Sequence, residues 1–227
     1  MNKPINIVLV LRTGGDFKFS DVSLIITHLK NKWKGKVIFN AICLNDKFKE
    51  ETSLMGVTMK PFPNKEWKGW WSKMNLFSPE LEDLRPFLYM DLDTAIIGDV
   101  SQLIPNTETL QNAFITLEDF YRPRHIASGV MWIPNGRKTN LIWEKWNLKK
   151  KKRFRGDQDF IESVTSADTF WQRLTNTIVS FKPLPRPIQW RSNKPEESIL
   201  CCFHGNPRIP QAAEKIDWVK KYIRYEE

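Results

Sequence analysis

The amino-acid sequence predicts an α/β fold with a mostly parallel central sheet flanked by helices, built as one domain. Three observations lead there. Short apolar runs alternate with amphipathic helical patterns through the first half of the chain, the arrangement that parallel strands need for their crossovers. The 227 residues suffice for one well-filled core, and no linker-like stretch divides them. The run Phe87-Leu-Tyr-Met-Asp-Leu-Asp-Thr94 has the look of a buried strand that delivers two acids, Asp91 and Asp93, at its C-terminal end. Strand alternation would point both carboxylates one way and Leu92 the other.

Taken in order, Ile5 to Leu11 reads as a first buried strand ending at Gly14-Gly15. It resembles a signal peptide only superficially, because Asn6 interrupts it and no small-residue cleavage site follows. Ser20 or Asp21 can cap a helix through about Trp33, with Val22, Ile25, Ile26 and Leu29 on one face. Lys36 to Leu44 is a second strand, and Val57 to Pro61 a short third closed by Pro61 and Pro63. Ser72 to Phe77 looks like a helical turn before Ser78-Pro79. After the Asp91/Asp93 strand come strands at Phe114 to Leu117 and Ser128 to Ile133, the latter stopped by Pro134-Asn135-Gly136. Thr139 to Lys149 and Asp157 to Val164 read as helices, and Thr177 to Phe181 and Ile199 to Phe203 as late strands. Pro210 to Tyr225 reads as one terminal helix with proline near its start.

Composition narrows the function classes. A hydrophobic fraction of 41%, with ten Trp and fourteen Phe, marks a globular chain. No apolar run reaches the ~20 residues that span a bilayer. The three cysteines, Cys43, Cys201 and Cys202, form no CxxC pair, so structural zinc is not expected. Free thiols in a reducing compartment, the cytoplasm, are the simplest expectation. The formal charge of +9 suits an anionic partner, but no zinc finger, helix-turn-helix or RNP-type aromatic pattern points to nucleic acid. The densest basic run is Lys149 to Lys152 with Arg153 and Arg155. It is a solvated helix end and loop, or a contact with an anionic acceptor or a membrane surface.

The chemistry-bearing residues fall into four groups. Asp91 and Asp93 form a ready site for a hard divalent cation, at the edge where open α/β sheets bind ligands. A second acidic triplet, Asp157-Gln158-Asp159, follows Gly156 and opens a helix, so it serves either as chemistry or as an N-cap with acidic first-turn residues. His204 leaves a buried strand into Gly205-Asn206-Pro207-Arg208, where it could give a nitrogen ligand to a metal, or be an ordinary turn histidine. Gly205 would let a phosphate approach the backbone, and Arg208 could pair with it. Lys73, before the Asp91 strand, could offer charge to a diphosphate. Trp67, Trp70 and Trp71 are either core or a platform for a sugar or base.

In this order, these pieces resemble GT-A glycosyltransferases, a Rossmann-like architecture, most closely those similar to family 8. The matching residues are the strand running into Thr13, the basic Lys73, Leu88-Tyr-Met-Asp-Leu-Asp93, Ala127-Ser-Gly-Val130, Asp157-Gln-Asp159, and His204-Gly205 with Arg208. They span roughly Ile5 to Gln211. The late element is more compact here, and Leu11 to Asp16 differs from the family's base-binding segment. The look is also similar to small glycosyltransferases of large algal viruses and bacteria that build surface glycans, so the expected place is the cytoplasm, that of the host if the chain is viral.

The resemblance implies a single domain over residues 1–227, with a nucleotide-binding part over about 1–100 and an acceptor-side part over about 101–227. It implies a sugar moved from a nucleotide-sugar donor, a UDP-sugar, to a glycan or glycoprotein, with retention of configuration. Asp91, Asp93 and His204 would hold Mn²⁺ or Mg²⁺, with Mn²⁺ favoured by the nitrogen ligand. Arg12, Thr13, Lys73, Asp91, Gly205 and Arg208 would contact the donor nucleotide. Gln158 would lie under the anomeric carbon, with Asp157 or Asp159 gripping sugar hydroxyls. Glu118 and Asp119 are candidates for the acceptor. Two alternatives stand beside this: a metal-dependent phosphoesterase or nucleotide hydrolase, and a non-catalytic anion-binding module. The first would want further acids or histidines near Ile5 to Leu11, which has none. The second leaves two acids at the end of a buried run unexplained.

Overall fold

The computed structural model describes residues 3–47, 52–54, 56–148, 153–182 and 190–225. The lysines at 149–152 lie outside the described residues. The chain begins with β1 (Ile5–Leu11), α1 (Phe19–Lys32), β2 (Phe39–Asn45), β3 (Thr52–Leu54) and β4 (Val57–Pro61). Two 3₁₀ segments, Gly69–Phe77 and Pro79–Leu84, lead into β5 (Phe87–Met90) and β6 (Thr94–Ile96). A third, Val100–Leu103, precedes α2 (Glu108–Gln111), β7 (Ile115–Glu118), β8 (Ile126–Ile133), α3 (Arg137–Leu148) and α4 (Asp157–Val164). The chain closes with β9 (Thr169–Phe170), α5 (Trp171–Leu174), β10 (Ile178–Ser180), β11 (Leu200–Cys202), α6 (Ile209–Ala213) and α7 (Asp217–Arg224).

The strands form an eight-stranded sheet in the order β3-β4-β2-β1-β5-β8-β7-β9 and a three-stranded sheet in the order β10-β11-β6. Strands β4, β2, β1 and β5 run parallel, whereas β8 is antiparallel to both β5 and β7. The predicted α/β class with a mostly parallel centre is therefore what forms. Alternation along β1 feeds two cores. Ile7, Leu9 and Leu11 pack with Val22, Ile25 and Leu29 of α1. Val8 instead faces Trp67, Phe77, Ile142 and Phe160. A third cluster joins β11 to α6 and α7 through Phe181, Phe203, Trp218 and Tyr222.

Three sequence expectations are corrected. Lys18, not Ser20 or Asp21, is the N-cap of α1; Asp21 stands one turn on and accepts the Lys18 backbone N–H at 2.6 Å. The second strand starts at Phe39 rather than Lys36. The single terminal helix is two, because α6 buries Ile209, Ala212 and Ala213 while α7 buries Trp218, Val219 and Tyr222. Those sets lie on different helical phases, so one unbroken helix could bury only one of them.

Candidate active site

The Asp91/Asp93 element is a strand end followed by a turn. β5 stops at Met90; Asp91 N–H still donates to Gly129 O at 2.8 Å, and Thr94 N–H donates back to Asp91 O at 3.1 Å. The expected separation survives without strand alternation: Leu92 is buried in the α1-side core while both acids line one cavity. The turn also sends the chain into the second sheet, where Thr94 pairs with Cys202. Phe203 N–H donates to Asp93 O at 2.9 Å, so His204 emerges beside the acids although 113 positions separate it from Asp91 in sequence (204 − 91).

Lys73 ties the site together. It is 8% exposed, with Nζ 3.0 Å from Asp91 and 3.1 Å from Asp157, and it donates to the Ser128 hydroxyl at 3.2 Å. Tyr89 OH donates to Asp91, and Ser128 Oγ donates to Asp157. Burial works against the Lys73 charge, but Asp157 and Asp91 outweigh it and hold its pKa above the usual lysine range. Burial pushes the Asp91 carboxyl up to about 6; Lys73 opposes this, and Asp93 and Asp157 add to it. Arg208 donates to Asp93 through Nη1, lies 3.2 Å from Asp16 through Nη2, and stacks over Phe17 at 4.9 Å.

Two cavities meet at this charged wall. One, of about 620 Å³, is lined by Arg12, Thr13, Gly14 to Phe17 and Lys68. The other, of about 550 Å³, is lined by Asp119, Tyr121, Gln158, Asp159, Lys182 and His204 among others. Trp70, Lys73, Asp91, Asp93 and Arg208 belong to both. A smaller recess of about 280 Å³ opens beside the second, between Arg122, Arg155 and Asp159.

The predicted residues therefore converge, with distinctions. Thr13 donates through its N–H and hydroxyl to Asp46 at 2.8 and 2.6 Å, and Arg12 donates to Lys65 O at 2.9 Å. Burial disfavours the Asp46 charge, but the Thr13 bonds and the Arg12 charge hold its carboxyl below the usual range. In the second triplet Gly156 is the N-cap, and the acids sit in the first turn where the helix dipole favours them. Asp157 turns inward onto Lys73, whereas Gln158 Nε2 reaches Asp119 at 3.3 Å and Asp159 faces Arg122 at 3.5 Å. Asp119 lines the cavity, but Glu118 does not; its carboxylate accepts Arg124 N–H at 2.6 Å. The three tryptophans divide: Trp67 is core, Trp71 stacks on Trp146 at 4.6 Å, and Trp70 is 60% exposed at the cavity mouth. Gly205 takes φ +81°, where a side chain would be strained.

Sequence reasoning missed Lys182 and Tyr121, and gave no role to Ser128 and Tyr89, which stood only as parts of the matched motifs. Lys182 Nζ donates to His204 O at 2.7 Å. It arrives because β10 lies parallel beside β11, a pairing that no local motif announces.

The donor set suits a hard cation in part. Asp91 and Asp93 bring two oxygen ligands to one place, where burial, with a smaller addition from Asp93, makes Asp91 hold its proton more tightly than usual. His204 lines the same cavity, but its Nε2 is 2.7 Å from Ser180 Oγ and its ring stacks on Phe120 at 5.3 Å. Among the described residues no three His, Cys, Asp or Glu side chains stand together as a ready ligand set. The carboxylate pair thus fits a cation that completes its shell with ligand oxygens, and His204 would join it only by leaving Ser180.

No family model matches the sequence, and no curated protein does. Solved structures do. GlyE, a glycosyltransferase of Streptococcus pneumoniae TIGR4, superposes with a TM-score of 0.65 at 11% identity, over 98% of this chain and 60% of its own. LgtC, in an active-site mutant that replaces a glutamine by glutamate, gives 0.65 at 11% identity, over 97% and 96%. WbbM, a bifunctional glycosyltransferase, gives 0.62 at 10%, over 100% of this chain and 52% of its own. The chain thus spans 60% of GlyE and about half of WbbM, but nearly all of LgtC. At these identities the likeness speaks for the fold, and the fold of this chain is the GT-A fold of those glycosyltransferases.

Proposed function

We propose that this chain is a glycosyltransferase of the hexosyltransferase type, moving a sugar from a UDP-sugar to a glycan or glycoprotein acceptor, with Mn²⁺ or Mg²⁺ and with retention of configuration. One observation carries the reading: two cavities, each large enough for a small ligand, share a single wall made of Lys73, Asp91, Asp93 and Arg208 at the C-terminal edge of the parallel strands. A donor diphosphate laid on that wall has its nucleoside on one side and its sugar on the other. LgtC, which shares the fold, has been solved as a galactosyltransferase with donor and acceptor sugar analogs.

In this reading the first cavity, from the β1 end, takes the nucleoside, with Arg12 and Thr13 in its wall. The division into a nucleotide part over about 1–100 and an acceptor part over about 101–227 follows, except that Arg208 reaches across it. Asp91 and Asp93 would hold the metal ion, which supplies positive charge to the departing diphosphate. Arg208 and Lys73 add fixed charge beside it, and the Gly205 backbone leaves room for phosphate. Because Asp157 is committed to Lys73, gripping the sugar hydroxyls falls to Asp159. Gln158 lies under the reacting carbon, and Asp119 orients the acceptor. Trp70, at the shared mouth, offers a ring face to a sugar.

The test is a thermal-shift series with UDP, Mn²⁺ and EDTA. UDP with Mn²⁺ at ~100 times Kd should stabilise the protein by about 2.7 kcal/mol. Equal stabilisation by UDP in EDTA removes the metal from the reading, and no response to any nucleotide with either ion removes the transferase reading itself.

A further inference from the structure

Arg155 enters the second cavity and its side recess immediately before the Gly156 cap of α4, two positions ahead of Asp157 and three ahead of Gln158. The other cations that line this second cavity are engaged. Lys73 is held by Asp91 and Asp157, Arg208 by Asp93 and Asp16, and Lys182 bonds the His204 carbonyl. Arg122, across the recess, is held by Asp119 at 2.9 Å and Asp159 at 3.5 Å. Arg155 makes no hydrogen bond or ion pair among the described residues. A guanidinium presents five N–H donors in a planar fork that matches carboxylate and phosphate, and left unpaired at a cavity mouth it has that fork to offer.

A ring platform stands beside it. A Cβ placed on Gly156 would lie 3.9 Å from Trp70 Nε1, so the exposed indole borders the same backbone that carries Arg155. In sequence Arg155 also closes the basic run of Lys149 to Arg153. An aromatic ring and an unpaired guanidinium lining one cavity suit a ligand with both a sugar ring and an anionic group. On the donor side the phosphate charge already has Lys73 and Arg208, and Arg155 does not line the nucleoside cavity.

We infer that the acceptor is an anionic saccharide, a sugar bearing a carboxylate or a phosphate, held by Arg155 while its ring lies against Trp70. This rests on the transferase reading above and names its substrate class. Arg155 is a specificity residue here: it selects the acceptor and takes no part in breaking the donor bond.

The experiment compares p-nitrophenyl β-glucuronide with p-nitrophenyl β-glucoside, which differ by one carboxylate, and adds a glucosyl phosphate on a short lipid chain. Each is tested as acceptor for wild type and Arg155→Gln, with donor hydrolysis measured in both. Wild type should favour the charged acceptors by roughly tenfold in kcat/KM, the size of one charge-assisted hydrogen bond. Arg155→Gln should erase that preference through acceptor KM and leave hydrolysis and donor KM unchanged. Preference for the glucuronide assigns a soluble acidic saccharide; preference for the lipid phosphate assigns a lipid-linked one. Equal use of charged and neutral acceptors with hydrolysis intact overturns this inference alone, as does a preference that survives in Arg155→Gln. Absence of turnover with every nucleotide sugar overturns the transferase reading and this inference with it.

Discussion

Lys73 Nζ stands 3.0 Å from each of the two carboxylate oxygens of Asp91, a buried ammonium straddling a half-buried carboxylate. The pair joins the 3₁₀ segment Gly69–Phe77 to the end of β5, and Asp157 on the far side of Lys73 extends the link to α4. Three elements distant in sequence are thereby fixed at the point where the two cavities meet.

Lys73→Met should destabilise the metal-free protein by about 2–4 kcal/mol, because it leaves the buried Asp157 and the half-buried Asp91 carboxylates without a cation. The pH dependence has a definite sign. Asp91 already holds its proton up to about 6 in the folded state, against an ordinary value of 3.8. A raised carboxyl binds more protons folded than unfolded, so its contribution to stability falls as pH rises from 3.8 toward 6. Removing Lys73 enlarges that fall. Urea melts in EDTA should therefore show the gap between variant and wild type widening as pH rises through this window; a gap constant from pH 4 to 8 would mean that Lys73 acts by packing alone.

Asp93→Asn should keep the fold and lose the Mn²⁺-dependent response to UDP. The neutral amide can still accept from Arg208, so circular dichroism and melting in EDTA should stay close to wild type. Turnover near the wild-type rate would move the metal elsewhere. His204→Ala separates two possibilities for that ring. A lowered Mn²⁺ affinity makes it a ligand that leaves Ser180 on binding. Unchanged affinity confines it to shaping the cavity against Phe120.

Much of this was legible in the sequence, for identifiable reasons. β1, β4 and α4 are set by local apolar patterning and turn residues, and the expected ranges coincide with the strands and helix that form or differ by little. Asp91 and Asp93 announce themselves because ionised groups next to Phe87–Met90 need partners. What escaped came from tertiary placement. Lys182 and Tyr121 reach the cavity only through the β10–β11 pairing and the β7–β8 connection. The break after α6 is hidden because Gln211 to Lys215 are all good helix formers, and only the change of buried face ends the helix. Glu118 reads like a partner of Asp119, yet one residue along the chain turns its carboxylate onto the Arg124 backbone.

The thiols give a test independent of function. Cys43, Cys201 and Cys202 are all free and buried. Burial pushes Cys43 and Cys201 up to about 12, and raises Cys202 well above the usual thiol range. The native protein at pH 8 should therefore react negligibly with a thiol-disulfide reagent, since thiolate is the reactive form, and three thiols should titrate after unfolding. Rapid labelling of one native thiol would contradict the packing of β2 or β11.

The last prediction concerns stereochemistry. An inverting transferase needs a base placed to deprotonate the acceptor as it attacks from the face opposite the leaving group. Of the acids in the second triplet, Asp157 is held by Lys73 and Ser128, and Asp159 faces Arg122. Gln158, between them, is an amide, a poor base and a weak nucleophile. With Gln158 nearest the anomeric carbon, the acceptor hydroxyl is best deprotonated by the departing diphosphate on the front face, which retains configuration. Gln158→Ala should then slow transfer only moderately, about tenfold to a hundredfold, because the side chain shapes and polarises the site without accepting a proton. Its hydrogen bond to Asp119 would be lost as well, so acceptor KM should rise alongside. Complete loss of activity in Gln158→Ala would assign that residue a covalent or proton-transfer part. An inverted product anomer by NMR would overturn retention and send the search for a base to Asp119, the remaining carboxylate at the acceptor side of the cavity.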